Sequence, residues 1–175
     1  MVHADYSNFG SESDKDLLLE SVVESYKALA DGQDNWVCNL SNCASLLWHC
    51  YSQISNGTVN WTGFYVLDEK NNSQLILGPF QGKVACQLIP FGKGVCGAAA
   101  ESRQTQLVPD VEKFPGHIAC DGDTKSEIVV PIIQNEKIIG VIDLDCTQLE
   151  MFNESDKKWL EILASEISKS CNFPF

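Results

Sequence analysis

Two stretches near the start of the chain repeat apolar residues at helical spacing. In residues 14–32, DKDLLLESVVESYKALADG, the side chains of Leu18, Val22, Tyr26 and Leu29 fall on one stripe that stops at Gly32. Around residues 41–54, SNCASLLWHCYSQI, Leu40, Ala44, Leu47, Tyr51 and Ile54 do the same before the Asn56-Gly57 turn. From Thr58 the period shortens to that of strands, in TVNWTGFYVLD (58–68), SQLILGPFQG (73–82) and KVACQLIP (83–90). GKGVCGAAAES (92–102) reads as a glycine-rich lead into a short helix, TQLVPD (105–110) as a strand, and VEKFPGHIACDGDTK (111–125) as a long polar loop of the kind that carries function. SEIVVPII (126–133) and KIIGVIDLDC (137–146) form a hairpin across Gln134-Asn135-Glu136. A last helix, NESDKKWLEILASEISKSC (153–171), turns Leu160, Leu163, Ala164 and Ile167 inward. The first thirteen residues are polar and are expected to be disordered, which leaves one domain over residues 14–175. Helix, helix, three strands, short helix, three strands, helix predicts an α/β chain of the α+β kind, a six-stranded antiparallel sheet with helices packed on its faces.

Size and charge narrow the partners. A chain of 175 residues can bury one substantial core. Twelve Lys and Arg against twenty-four Asp and Glu leave a formal charge of -12, which repels nucleic acid and anionic membrane surfaces alike. No apolar run approaches the ~20 residues needed to span a bilayer. The start MVHADYSNFGSESDKD lacks a secretory signal, so the protein is expected in the cytoplasm, with the nucleus also open. In a reducing compartment the eight cysteines are thiols for chemistry, metal or plain burial. Cys38, Cys43, Cys50, Cys146 and Cys171 read as small buried hydrophobes.

Three groups of residues could carry chemistry. Strand alternation puts Trp61, Gly63 and Tyr65 on one face, so the glycine leaves a gap between two rings, either a bulge in a core or a slot for a small apolar group such as a methyl. Asp143 and Asp145, two apart, project from one face of a strand whose other face is claimed by Ile142 and Leu144, and Glu127 joins them if its strand pairs across the short turn. Three crowded acids attract an ammonium group, and one of them can stay protonated near neutrality as a general acid; a divalent cation would satisfy the same geometry. The third group is Cys86, Cys96 near a helix N-terminus that should lower its thiol pKa, and Cys120 in the glycine-rich loop.

The stretches NWTGFY, ILGPFQGKVAC, FGKGVCGAAA, PGHIACDGDTKSEIVVP and GVIDLDC, in order from about Trp36 to the final helix, resemble the free methionine-R-sulfoxide reductases. The resemblance implies a single GAF-type domain that reduces free L-methionine-R-sulfoxide. A cysteine thiolate attacks the sulfoxide sulfur, methionine departs, and the resulting sulfenic acid condenses with a second thiol to a disulfide that thioredoxin reduces. On these motifs Cys120 matches the nucleophile and Cys86 a resolving partner, with Cys96 the third cysteine; attack by Cys96 with Cys120 resolving stays open. Glu127, Asp143 and Asp145 match the acids, and Trp61 and Tyr65 the aromatic slot. No metal and no cofactor is implied, and a homodimer is left open.

Two other readings compete with this one. A ligand-sensing GAF module for a cyclic nucleotide or chromophore shares the fold, but an acid-lined pocket would repel phosphate. A zinc-held domain would use Cys86, Cys96, His117 and Cys120, although three separated thiols without a CxxC are a weak signature.

Overall fold

The computed structural model describes residues 7–116 and 121–175. Six strands form one antiparallel sheet: β1 (Val59–Asp68), β2 (Asn71–Gly82), β3 (Leu88–Pro90), β4 (Gln106–Val108), β5 (Ser126–Gln134) and β6 (Lys137–Cys146), in the order β3-β2-β1-β6-β5-β4. The helices are α1 (Lys15–Ala30), α2 (Trp36–Ile54), α3 (Gly94–Ser102) and α4 (Glu154–Ser170).

Alternation along β1 divides the interior in two. Phe64 and Val66 face the larger core, where Leu18, Val22 and Tyr26 of α1, Leu40, Leu47 and Tyr51 of α2, and Leu160, Leu163 and Ile167 of α4 cover the sheet. Trp61 and Tyr65 face the smaller core with Val95, Ala99 and Ala100 of α3. Asp156, fully buried, ties the larger layer together: it closes the Asn153 capping box of α4, accepts 2.8 Å from the Tyr51 hydroxyl and pairs with Lys15 of α1.

Several boundaries differ from the expected ones. α2 begins at Trp36, a full turn early, because the Asn35 side chain caps it by accepting from the Cys38 amide. That turn leaves Cys38 exposed, whereas Cys43, Cys50, Cys146 and Cys171 are buried as expected. The third strand keeps only Leu88–Pro90 of the expected 83–90, since residues 83–87 leave the sheet to cross the smaller core. The polar loop includes a 3₁₀ turn at Val111–Lys113, and its residues 117–120 lie outside those described. Of the segment expected to be disordered, residues 1–6 also lie outside them; Phe9 packs on the larger core and Gln53 donates to the Glu12 carbonyl, so that part is attached to the domain. Among the described residues no helix is long and apolar enough to cross a membrane.

Candidate active site

Strand register assembles the acids. Asp145 of β6 lies between Trp61 of β1 and Glu127 of β5, and Asp143 between Gly63 and Val129, so all three carboxyl groups leave the sheet on the face of the smaller core. α3 lies above them. Gly97 lets it settle there, because a Cβ at that position would stand 2.3 Å from the Pro90 carbonyl oxygen. This contact places Cys96 over the acids. Trp61, Tyr65, Cys96, Glu127, Asp143 and Asp145 line one pocket.

Asp143 is 5% exposed and accepts from the Cys96 thiol and from Glu127, itself 6% exposed. Asp145 accepts from the Thr124 hydroxyl. Burial pushes the Asp143 carboxyl up to about 7, partly offset by the donors Cys96 and Glu127. Burial, and then the neighbouring carboxylates, push Glu127 and Asp145 well above the usual range. A site of three acids whose protons are retained toward neutrality is suited to proton transfer at that pH. Asp143 Oδ1 and Asn60 Oδ1 are the buried side-chain oxygens that have no hydrogen-bond partner among the described residues, and of the two residues Asp143 lines this pocket. Buried oxygens are normally satisfied, so a ligand is the natural partner for one that faces a pocket.

Two expectations about this site are corrected. Cys96 was expected to have a lowered thiol pKa at its helix N-terminus, but burial and the facing Asp143 and Glu127 raise it well above the ordinary value. Desolvation and two nearby carboxylates outweigh a helix dipole acting within its first turn. The gap expected at Gly63 is not an open slot. The Trp61 ring lies across it, 2.8 Å from where a Cβ would stand, stacked on Tyr65 at 5.7 Å and on Phe80 at 5.2 Å. Trp61 and Tyr65 both line the pocket, yet their polar atoms are committed to the chain: Trp61 Nε1 donates 3.2 Å to the Lys83 carbonyl and the Tyr65 hydroxyl 3.0 Å to the Cys86 carbonyl.

Those two bonds hold the 83–87 crossing over the pocket, with Lys83, Val84 and Ala85 in its wall. Cys86 is disulfide-bonded, which removes it from any zinc set, while Cys96 is a free thiol. Cys120 and His117 lie outside the described residues. The sequence reading missed what joins the crossing to residues 121–124. Lys83 Nζ pairs with Asp121 at 3.4 Å and Asp123 at 2.9 Å, and Asn60 Nδ2 donates 3.2 Å to both Asp121 Oδ2 and Thr124 Oγ1. The Asp-Gly-Asp run was a visible signal of a turn, but its cationic partner forty residues earlier was not.

The fold and the match with the GAF domain family over residues 42–169 make this chain a GAF domain whose pocket carries acids and the Cys96 thiol. A solved structure described as a GAF domain superposes with a TM-score of 0.94 at 59% identity, covering 99% of this chain and 98% of its own. The free methionine-R-sulfoxide reductase of Saccharomyces cerevisiae is 59% identical over 172 residues, 98% of this chain and 95% of that protein. The free methionine-R-sulfoxide reductase of Neisseria meningitidis, solved in complex with its substrate, superposes with a TM-score of 0.85 at 39% identity, covering 91% and 92%. The chain belongs to the free methionine-R-sulfoxide reductase family and is an oxidoreductase.

Proposed function

We propose that the protein reduces free L-methionine-R-sulfoxide to L-methionine with Cys120 as nucleophile and Cys86 as resolving thiol. The observation that carries this reading is the pocket itself: three acids, two of them buried and one with an oxygen that meets no donor among the described residues, beside a cysteine held in a disulfide. The Cys120 thiolate attacks the sulfoxide sulfur while a carboxyl proton passes to the sulfoxide oxygen. The oxygen leaves on the cysteine as sulfenic acid, and the methionine thioether departs with the electron pair. The Cys86 thiol then displaces that oxygen as water, forming the disulfide. A dithiol protein of the thioredoxin class supplies the two electrons and two protons that reopen it.

Asp143 suits the proton donor. Its Oδ1 meets no donor among the described residues, which leaves that oxygen to present a proton, and its carboxyl titrates near neutrality. Asp145, the most exposed of the three, is placed for the α-ammonium. An acylated nitrogen has no charge for Asp145 and adds bulk to a pocket roofed by the 83–87 crossing. Losing a charge-assisted hydrogen bond costs ~1.5–3 kcal/mol, so the N-acetyl derivative is expected to react at least about ten- to a hundredfold more slowly. The measurement is methionine released from the free R epimer, its N-acetyl derivative and the S epimer under one reductant. Comparable rates on the acetylated compound would overturn the ammonium role.

Replacing the resolving thiol separates attack from recycling. Cys86→Ser is expected to lose thioredoxin-supported turnover yet release about one methionine per enzyme in a single round, because attack precedes resolution. A rapid-quench count of methionine per enzyme decides it, and no release at all would show that Cys86 does more than resolve.

A further inference from the structure

The strongest unassigned feature is the trio of Cys96 Sγ and one oxygen each from Glu127 and Asp143, all within 4.8 Å of one another. All three residues are at most 6% exposed, and two protons link them, one from the Cys96 thiol and one from Glu127, both directed to Asp143. Asp143, which lines the pocket, has its Oδ1 without a donor among the described residues. One thiol and two carboxyl groups on three separate elements, with an open side toward the pocket, match the donor number of a zinc site that has three protein ligands and one vacant position.

We propose that Cys96, Glu127 and Asp143 form a binding site for a thiophilic divalent cation of the zinc type, which closes the pocket to the amino acid substrate while it is occupied. Binding exchanges the two shared protons for the ion: the Cys96 and Glu127 protons leave to solvent, and thiolate and carboxylates become ligands. An ion at ~2.0–2.3 Å from each ligand needs those atoms roughly 3.5–4 Å apart, which side-chain adjustment alone can supply. The thiolate selects the class of metal. Magnesium and calcium want six or more oxygens, and only two of these three donors are oxygens. An ion seated there takes up Asp143, the carboxyl proposed to give its proton to the sulfoxide oxygen, and fills the space that oxygen would enter, so the two occupants exclude each other.

The test uses the full chain with its Cys86 disulfide intact, so that the cysteines of that disulfide cannot bind the ion, and it needs no catalysis, which keeps its outcome separate from the proposed reaction. Metal-free protein is titrated with zinc chloride alone, without thiols, against a chromogenic zinc chelator, and proton release is followed in weak buffer. One zinc per chain at micromolar or lower concentration, with protons released, is expected. Millimolar magnesium should not displace it. Cys96→Ser should weaken binding at least a hundredfold and Asp143→Asn at least tenfold, whereas Cys38→Ser, which removes the exposed thiol, should change nothing. Circular dichroism confirms that each variant is folded; if Cys96→Ser is not, Asp143→Asn decides. Absence of binding at 100 µM zinc, or affinity unchanged in the folded Cys96 or Asp143 variant, overturns the site.

Discussion

Cys120→Ser is expected to release no methionine with dithiothreitol or with thioredoxin, in one turnover or in many. The nucleophile must be a thiolate that can reach the sulfoxide sulfur. Four of the other cysteines are out of reach: Cys43, Cys50, Cys146 and Cys171 are buried in the larger core, across the sheet from the pocket. Cys38 is exposed on α2, which covers that same far face. Cys96 does face the pocket, but it is 4% exposed, donates its proton to Asp143 and has its thiol pKa pushed well up, so little of it is thiolate at neutral pH. In the proposed sequence Cys86 enters after attack, and its thiol cannot replace the step it follows. The loss should therefore be complete, limited by the detection of free methionine, while the folded content stays that of the parent. The measurement is amino-acid analysis of a single-turnover quench, run beside Cys96→Ser. Release retained by Cys120→Ser and lost by Cys96→Ser would transfer the attack to Cys96.

The parts of this molecule that follow from local pattern were legible in the sequence, and those that depend on what lands above the sheet were not. Period-two alternation was enough to place Trp61 and Tyr65 on one face and Phe64 and Val66 on the other, and to predict that Glu127 would meet Asp143 and Asp145 across the Asn135-Glu136 turn. The fate of residues 83–87 could not be read that way. Their sequence alternates like a strand, but the Trp61 and Tyr65 donors capture the carbonyls of Lys83 and Cys86 and draw the segment off the sheet. Gly63 showed that space was needed, without showing that the Trp61 ring would fill it. Cys96 illustrates the same limit: a helix N-terminus is visible in GKGVCGAA, whereas the two carboxyl groups that reverse its effect come from strands thirty and more residues away.

Asp143→Asn is expected to slow the chemical step by about 10²–10⁴ and, at the same time, to make the protein more stable at alkaline pH. The substitution keeps shape and a hydrogen-bonding group, so the loss in rate isolates the exchangeable proton. A variant with unchanged kcat and a raised KM would make Asp143 an anchor for substrate. The stability gain has a definite sign. The Asp143 carboxyl titrates at 3.8 when unperturbed and at about 7 in the folded protein, where burial disfavours its charge and the Cys96 and Glu127 donors offset only part of that. The folded state thus holds this proton more tightly than the unfolded chain, and the stability it contributes is present below pH ~4 and lost as pH rises to about 7. At ~1.36 kcal/mol per pH unit over that interval, the wild-type protein forfeits up to about 4 kcal/mol that the asparagine variant keeps. Urea unfolding of both proteins at pH 4 and pH 8 should show little difference at the lower pH and a more stable variant at the higher one. Equal midpoints at pH 8 would mean that the carboxylate is compensated in the folded state, and with that its fitness as a proton donor near neutrality would go.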